Sequence, residues 1–312
     1  MRPFFSIIIP LYNKENYIKE TLTTALHQSF ANFEIIIVND GSTDNSVEQV
    51  KLFNDDRIHL INQNNQGVSA ARNRGIEEAK SDLIVFLDAD DLWMNNHLEE
   101  LKKLYHDFPN CGMYCNRHKT KISNNKLISN SYANSIPDNF RGIIPNYFEA
   151  NLVNRVSFTS SIMIPKGVIQ KYNGFDTNIS SGQDLDLWTR IGINYSVAIS
   201  NKTTAIYRFE VVNSLSKTNF LSKRLIDLEK FKTFEVKNES LKTFLDIYRL
   251  EYAIQYRIAG DKKKSKKLVD EIKSQIPFKT RVLLHMPSYL LAFLLKIKHK
   301  LKHLGIDFTI YH

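Results

Sequence analysis

The chain has only two cysteines in 312 residues, Cys111 and Cys115. That scarcity excludes a disulfide-built scaffold and suits a reducing compartment. Their Cys-x3-Cys spacing, with His118 nearby, lacks the second pair that a four-ligand zinc site needs, so buried thiols on a strand are expected. Long hydrophobic runs are missing as well. No stretch reaches eighteen apolar residues, so no membrane-spanning helix is expected. The apolar segment Phe4–Ile9 stops at Pro10 and has neither a basic leader nor a small-residue cleavage site. It reads as a first strand rather than a signal peptide, and a cytoplasmic location is the expectation. Acidic charge is scarce at one end: residues 217–312 hold 21 Lys and Arg against 10 Asp and Glu, whereas residues 1–216 hold 21 against 23. The overall charge of +9 therefore sits in the last third, where it points towards an anionic partner.

What is present is ordinary globular material, 43% hydrophobic and 24% charged, enough for one large α/β domain with an appendage. Strand-like runs at Phe4–Ile9, Glu34–Val38, Ile58–Ile61 and Leu83–Leu87 alternate with helix-like stretches at Lys14–Gln28, from Ser42 or Thr43 to Phe53, and at Gly67–Lys80. Such alternation predicts right-handed βαβ units, a largely parallel sheet, and a ligand at the strands' carboxyl ends. Three of those ends are rich in chemistry. Pro10-Leu11-Tyr12-Asn13 follows the first strand and Asn39-Asp40-Gly41-Ser42 the second. The fourth runs into Asp88-Ala89-Asp90-Asp91, three carboxylates in four positions. Unpaired carboxylates are costly to bury, so this cluster is either an acidic turn capping a helix or a site facing a cation such as Mg²⁺ or Mn²⁺. Arg72 and Asn73 lie in the third helix. An aromatic and a carboxylate serve a nucleobase; a metal and an arginine serve a diphosphate.

Ser6–Asn13, Glu34–Asp44, Gly67–Asn73 and Phe86–Asp91 closely resemble, in order, the signature segments of the family 2 glycosyltransferases. The resemblance covers residues 4–216. It implies an inverting enzyme of the GT-A fold, α/β and Rossmann-like, using a nucleotide-sugar donor and a divalent cation. By position, it implies that Tyr12 packs on the base with Pro10 shaping its loop, that Asp40 accepts from the base, and that Arg72 lies near base and diphosphate. Asp88 matches the carboxylate towards the ribose, Asp90 the one towards the metal, and Asp91 stands as a third. Ser181-Gly182-Gln183-Asp184-Leu185-Asp186-Leu187-Trp188 resembles the stretch carrying the catalytic base, which maps to Asp184. Gln183 replaces the usual preceding acid. Trp188, one turn on, either stacks on a sugar or fills core; Gln183, Trp188 and Asp91 are the acceptor-side candidates. Tyr207–Ser216 resembles a further family element but lacks its histidine, with Phe209 and Glu210 in that neighbourhood.

The implied reaction is transfer of a sugar, most simply from a UDP-sugar, to a hydroxyl of a glycan or lipid-linked acceptor in cell-surface polysaccharide synthesis. One alternative is a nucleotidyltransferase, which should carry a Gly-rich basic loop after the first strand; Pro10–Asn13 is not one. The other is a catalytically degenerate nucleotide-sugar-binding module, favoured only by the departures at Gln183 and Phe209. The expected layout is a donor half over 1–115, an acceptor half over 116–216, with 117–150 as an irregular excursion, and a basic helical region over 217–312. There, Leu241–Ala259 and Lys262–Ile276 read as a helical hairpin about Gly260-Asp261. The apolar run Tyr289–Leu295 leads into Lys296, Lys298, Lys300 and Lys302, a pattern for an interfacial helix on the anionic inner face of a membrane, or for a homo-oligomer contact. Aromatics are not interleaved on a basic face, so nucleic acid is not expected.

Overall fold

The structure, a computed structural model, describes residues 2–123, 126–133, 135–209, 211, 220–272, 274, 276 and 278–303. Two compact units emerge: Met1–Lys121 with Ser129–Val211 and Arg224–Ile226, and Ile122–Ile128 with Val212–Lys223 and Asp227–His312. The boundary expected near residue 216 falls outside the described residues.

The first unit opens as strand–helix alternation: β1 (Phe5–Leu11), α1 (Ile18–Leu26), β2 (Phe33–Asp40), α2 (Ser46–Lys51), β3 (Ile58–Gln63), α3 (Val68–Glu78) and β4 (Leu83–Phe86). All of β2 and β4, and β1 apart from Pro10, are buried, as strands covered on both faces must be. β1 pairs in parallel with β2 (Ile7 opposite Ile35) and with β4 (Ile7 opposite Val85), and β2 with β3. Gly75 lets α3 lie on this sheet: a Cβ there would stand 2.5 Å from Ile8 Cγ2. The chain continues with β5 (Leu92–Trp93), α4 (His97–Asp107), β6 (Met113–Ser123), β7 (Lys126–Ser129), β8 (Gly142–Ile143) and α5 (Tyr147–Ala150). Then come β9 (Ile162–Pro165), α6 (Lys166–Lys171), α7 (Gln183–Asn194) and β10 (Val197–Arg208). The main sheet order is β3-β2-β1-β4-β9-β6-β10-β5. β9 runs antiparallel to β4 and β6, and β5 antiparallel to β10, while β10 is parallel to β6. The sheet is thus parallel over β3-β2-β1-β4 and mixed beyond β4.

Three local expectations change. The helix expected from Lys14 begins at Ile18, because Lys14–Tyr17 is a turn whose first two N–H groups bond to the segment after β2: Lys14 N to Ser46 Oγ at 2.7 Å, Glu15 N to Asp44 Oδ2 at 3.0 Å. The strand expected over 157–165 is confined to Ile162–Pro165, since Thr159–Ser161 forms a single 3-10 turn. The stretch 117–150 is not wholly irregular, for it holds the end of β6, then β7, β8 and α5. Cys111 and Cys115 are free and buried, and burial pushes both thiols above their ordinary pKa.

The second unit is helical: α8 (Lys232–Glu235), α9 (Glu239–Ile258), α10 (Lys262–Glu271), α11 (Phe278–His285) and α12 (Ser288–His303). Gly260 turns the α9–α10 hairpin at φ +87°, and Asp261 caps α10 through Lys264 N at 2.9 Å. Buried Arg249 on α9 joins Glu235 (2.5 Å) and Asp246 (2.7 Å).

Candidate active site

The loops after β1, β2 and β4 meet along one rim of the sheet. Asn13, at φ +50°, receives a bond from Thr43 N (2.8 Å) and donates its own N–H to Ser42 Oγ (3.1 Å). The next residue, Lys14, reaches Asp90 Oδ2 at 2.7 Å. Tyr12, just past the end of β1, is therefore held beside the second loop and is 46% exposed, open to stacking. Asp40 is buried at the end of β2. Its Oδ1 accepts from Gln63 Nε2 (2.7 Å) and Gln66 N (2.8 Å), and its Oδ2 from Gly67 N (2.8 Å). Those bonds fix the loop entering α3 and leave one acceptor position on Oδ2.

Arg72, buried on α3, donates Nη2 to Asp88 Oδ1 at 2.6 Å and lies 5.2 Å from the Phe175 ring centroid. Its Nε and Nη1 are buried with no hydrogen-bond partner in the structure. Two guanidinium donors kept dry and unused beside a carboxylate suit an oxyanion that enters from outside. Asn73 sets the ring beneath it. Its side chain donates to Phe175 O (2.8 Å) and accepts from Phe175 N (2.9 Å), close against Gly174, where a Cβ would stand 2.5 Å from Asn73 Oδ1.

The acidic turn is closed by Asp91 N on Asp88 O at 3.0 Å. Burial raises the Asp90 carboxyl, Lys14 opposes that, and Asp88 adds to it. Asp91 is raised well above the ordinary range by burial and then by Asp90 and Asp88. Its partners are Ser160 Oγ at 2.5 Å and Arg208 N at 3.2 Å. Ser160 also receives Asp88 N at 3.0 Å, and its carbonyl receives Trp93 Nε1 at 2.6 Å. The Arg208 guanidinium pairs with Glu20. Lys14, Ser160 and Glu20 were not among the residues singled out by sequence; each is remote in the chain from the acids or the cation it serves.

Among the described residues no three or more His, Cys, Asp or Glu side chains converge as a complete metal cage. The rim offers two adjacent hard carboxylates, Asp88 and Asp90, whose repulsion a cation would relieve. That partial set fits Mg²⁺ or Mn²⁺, which keep phosphate oxygens and water for their remaining positions.

Asp184 sits in the first turn of α7, which begins after Gly182 at φ +87°. Its Oδ1 accepts from Leu185 N (2.8 Å) and its Oδ2 lies 3.6 Å from Arg155 Nη1, with the side chain 25% exposed. Neighbouring Gln183 is buried with Oε1 lacking a hydrogen-bond partner. Trp188 is packed, 5.6 Å from the Phe175 centroid and 5.9 Å from that of Phe86, so of its two readings the geometry is that of core. Through those rings the first turns of α7 abut the end of β4. Glu210 and the segment 212–216 lie outside the described residues.

The model of the family described as "Glycosyl transferase family 2" matches residues 6–166, more than half of the chain and all the rim segments named above. The chain belongs to glycosyl transferase family 2. Relatives of this family 2 chain include an uncharacterized glycosyltransferase of Rickettsia conorii, 30% identical over 235 residues, covering 72% of this chain and 36% of that protein. Glycosyltransferase GlyA of Streptococcus pneumoniae is 43% identical over 100 residues, 31% of this chain and 14% of its own. The chain spans 36% and 14% of the length of these two relatives. Among solved structures, S. aureus TarS 1-349 in complex with UDP-GlcNAc shares the fold at a TM-score of 0.59 and 16% identity, over 85% of this chain and 90% of that one.

Proposed function

We propose that this family 2 chain is an inverting glycosyltransferase that moves a sugar from a nucleotide-sugar, a UDP-sugar in the simplest case, to a hydroxyl of a glycan or lipid-linked acceptor of the cell surface. The observation that carries the reading is the rim itself. An open aromatic at Tyr12, a spare acceptor on Asp40, the Arg72 guanidinium and the Asp88–Asp90 pair share one rim, the set of groups that a nucleoside diphosphate calls for. Tyr12 stacks on the base and Asp40 accepts from a ring N–H. Arg72 gives its free Nε and Nη1 hydrogens to the diphosphate, and Asp88 faces the ribose. Asp90 would hold a divalent cation, with Asp88 as weaker ligand; when bound, that cation supplies Lewis-acid stabilisation of charge on the diphosphate.

In the transfer step the acceptor oxygen bonds to the anomeric carbon as the bond from that carbon to the diphosphate oxygen breaks on the opposite face. The acceptor's proton passes to the Asp184 carboxylate, which is held by Leu185 N–H and Arg155. What the step asks of Asp184 is placement in line with the leaving group. In keeping with this, TarS is described in complex with UDP-GlcNAc. The test is Asp184→Asn, assayed for UDP release and for nucleotide binding by calorimetry. Turnover should fall by about 10²- to 10⁴-fold with nucleotide affinity preserved. Wild-type turnover in that variant would remove the assignment.

A further inference from the structure

Helices α11 and α12 carry a surface that the transferase reading does not use. On α12, Tyr289, Phe293 and Ile297 recur at i, i+4 and i+8 and are 76%, 58% and 36% exposed. That spacing puts them in one stripe along the helix. Leu291, only 3% exposed, faces the other way and fixes α12 to its own unit. On α11, Phe278 is 78% exposed and Val282, one turn on, 40%. Phe278, Arg281, Val282, His285, Met286 and Pro287 line an open depression of about 520 Å³. Large apolar side chains repeated on solvent-facing helical stripes mark an interaction surface.

Charge identifies the occupant. Residues 278–303 contain no aspartate or glutamate, but they do contain Lys279, Arg281, Lys296, Lys298, Lys300 and Lys302. Lys279, Arg281 and Lys296 are exposed on the same two helices as the apolar stripe. A second copy of the chain would set this basic surface against itself, and like charges in contact are unfavourable. No described helix is long and apolar enough to cross a membrane. α12, sixteen residues and so roughly 24 Å long, falls short of a hydrocarbon core of about 30 Å. An apolar stripe flanked by cations, on a helix too short to span, belongs in the plane of a lipid headgroup layer.

We propose that α11 and α12 form a docking face for an anionic phospholipid bilayer. Phe278, Val282, Tyr289, Phe293 and Ile297 enter the headgroup boundary, and Lys279, Arg281 and Lys296 meet the acidic headgroups. The proposal rests on this surface alone and is read without turnover, so its failure and that of the transferase reading are separate.

The test is co-sedimentation of the full chain with vesicles of phosphatidylcholine alone and of phosphatidylcholine mixed with phosphatidylglycerol. The chain should pellet with the mixed vesicles only and be released by molar salt, which shortens the reach of charge to about 3 Å. Tyr289→Ser with Phe293→Ser should lower the partition coefficient at least about tenfold. Lys279→Gln with Lys296→Gln, which removes no apolar packing, should lower it about thirtyfold, at about 1 kcal/mol per cation. Wild-type circular dichroism and melting of both variants should accompany the loss. Failure to pellet with mixed vesicles, or unchanged partition of both variants, overturns the proposal. So does a wild-type dimer in size-exclusion chromatography that the serine variant turns into monomer.

Discussion

Asp91 is held beside two other acids and away from water, so its carboxyl keeps a proton to higher pH in the folded chain than in the unfolded one. The unfolded group ionises near about 3.9. Between that value and the raised native one, the folded state binds more protons, and stability falls as pH rises through the window. Asp91→Asn should remove this slope: in urea unfolding its stability relative to the parent rises from pH 4 to pH 8. His97 and His118 act in the opposite sense. Burial lowers each to about 3 in the folded state, whereas an unfolded histidine takes its proton near about 6.5. Below that pH each should cost about 1.4 kcal/mol of stability per pH unit, and His97→Gln should flatten the acid limb of the same unfolding series. The acids were legible in sequence as a hydrophobic strand running into charge. What neutralises them was not. Ser160 lies 69 residues from Asp91 and Arg208 117 residues away, and no local pattern announces such pairs.

Helix α3 shows how one element sets the rim. Gly75 brings it onto β1, Arg72 carries the unused donors, and Asn73 braces the loop bearing Phe175. Asn73→Ala removes two hydrogen bonds and should cost about 1–3 kcal/mol in thermal unfolding. Because Phe175 lies beneath Arg72, donor KM should rise as well, which a purely remote packing defect would not produce. In the helical unit, Arg249→Met leaves Glu235 and Asp246 buried without their cation; a loss of about 3–5 kcal/mol by chemical denaturation is expected. The parallel strands were readable because helices of regular spacing separate them. The direction of β9 was not: three buried residues and a proline carry no periodicity, and pairing with β4 and β6 alone decides it.

At the scale of the whole molecule, ligand linkage tests the rim. UDP with Mn²⁺ at a hundredfold excess over its Kd should stabilise the folded chain by about 2.7 kcal/mol, seen as a higher melting temperature, and Asp90→Asn should abolish the part that depends on Mn²⁺. The change from a balanced to a basic chain near residue 216 was visible in composition, whereas the solvent-facing stripe of Tyr289, Phe293 and Ile297 emerges only once α12 is seen against its own unit. Cys111 and Cys115 are the chain's only thiols, and the fold seals both. An alkylating dye offered to the native protein therefore has nothing to attack until the first unit breathes open. The rate at which it reacts becomes a clock for that opening, needing no engineered label, and bound nucleotide should slow it.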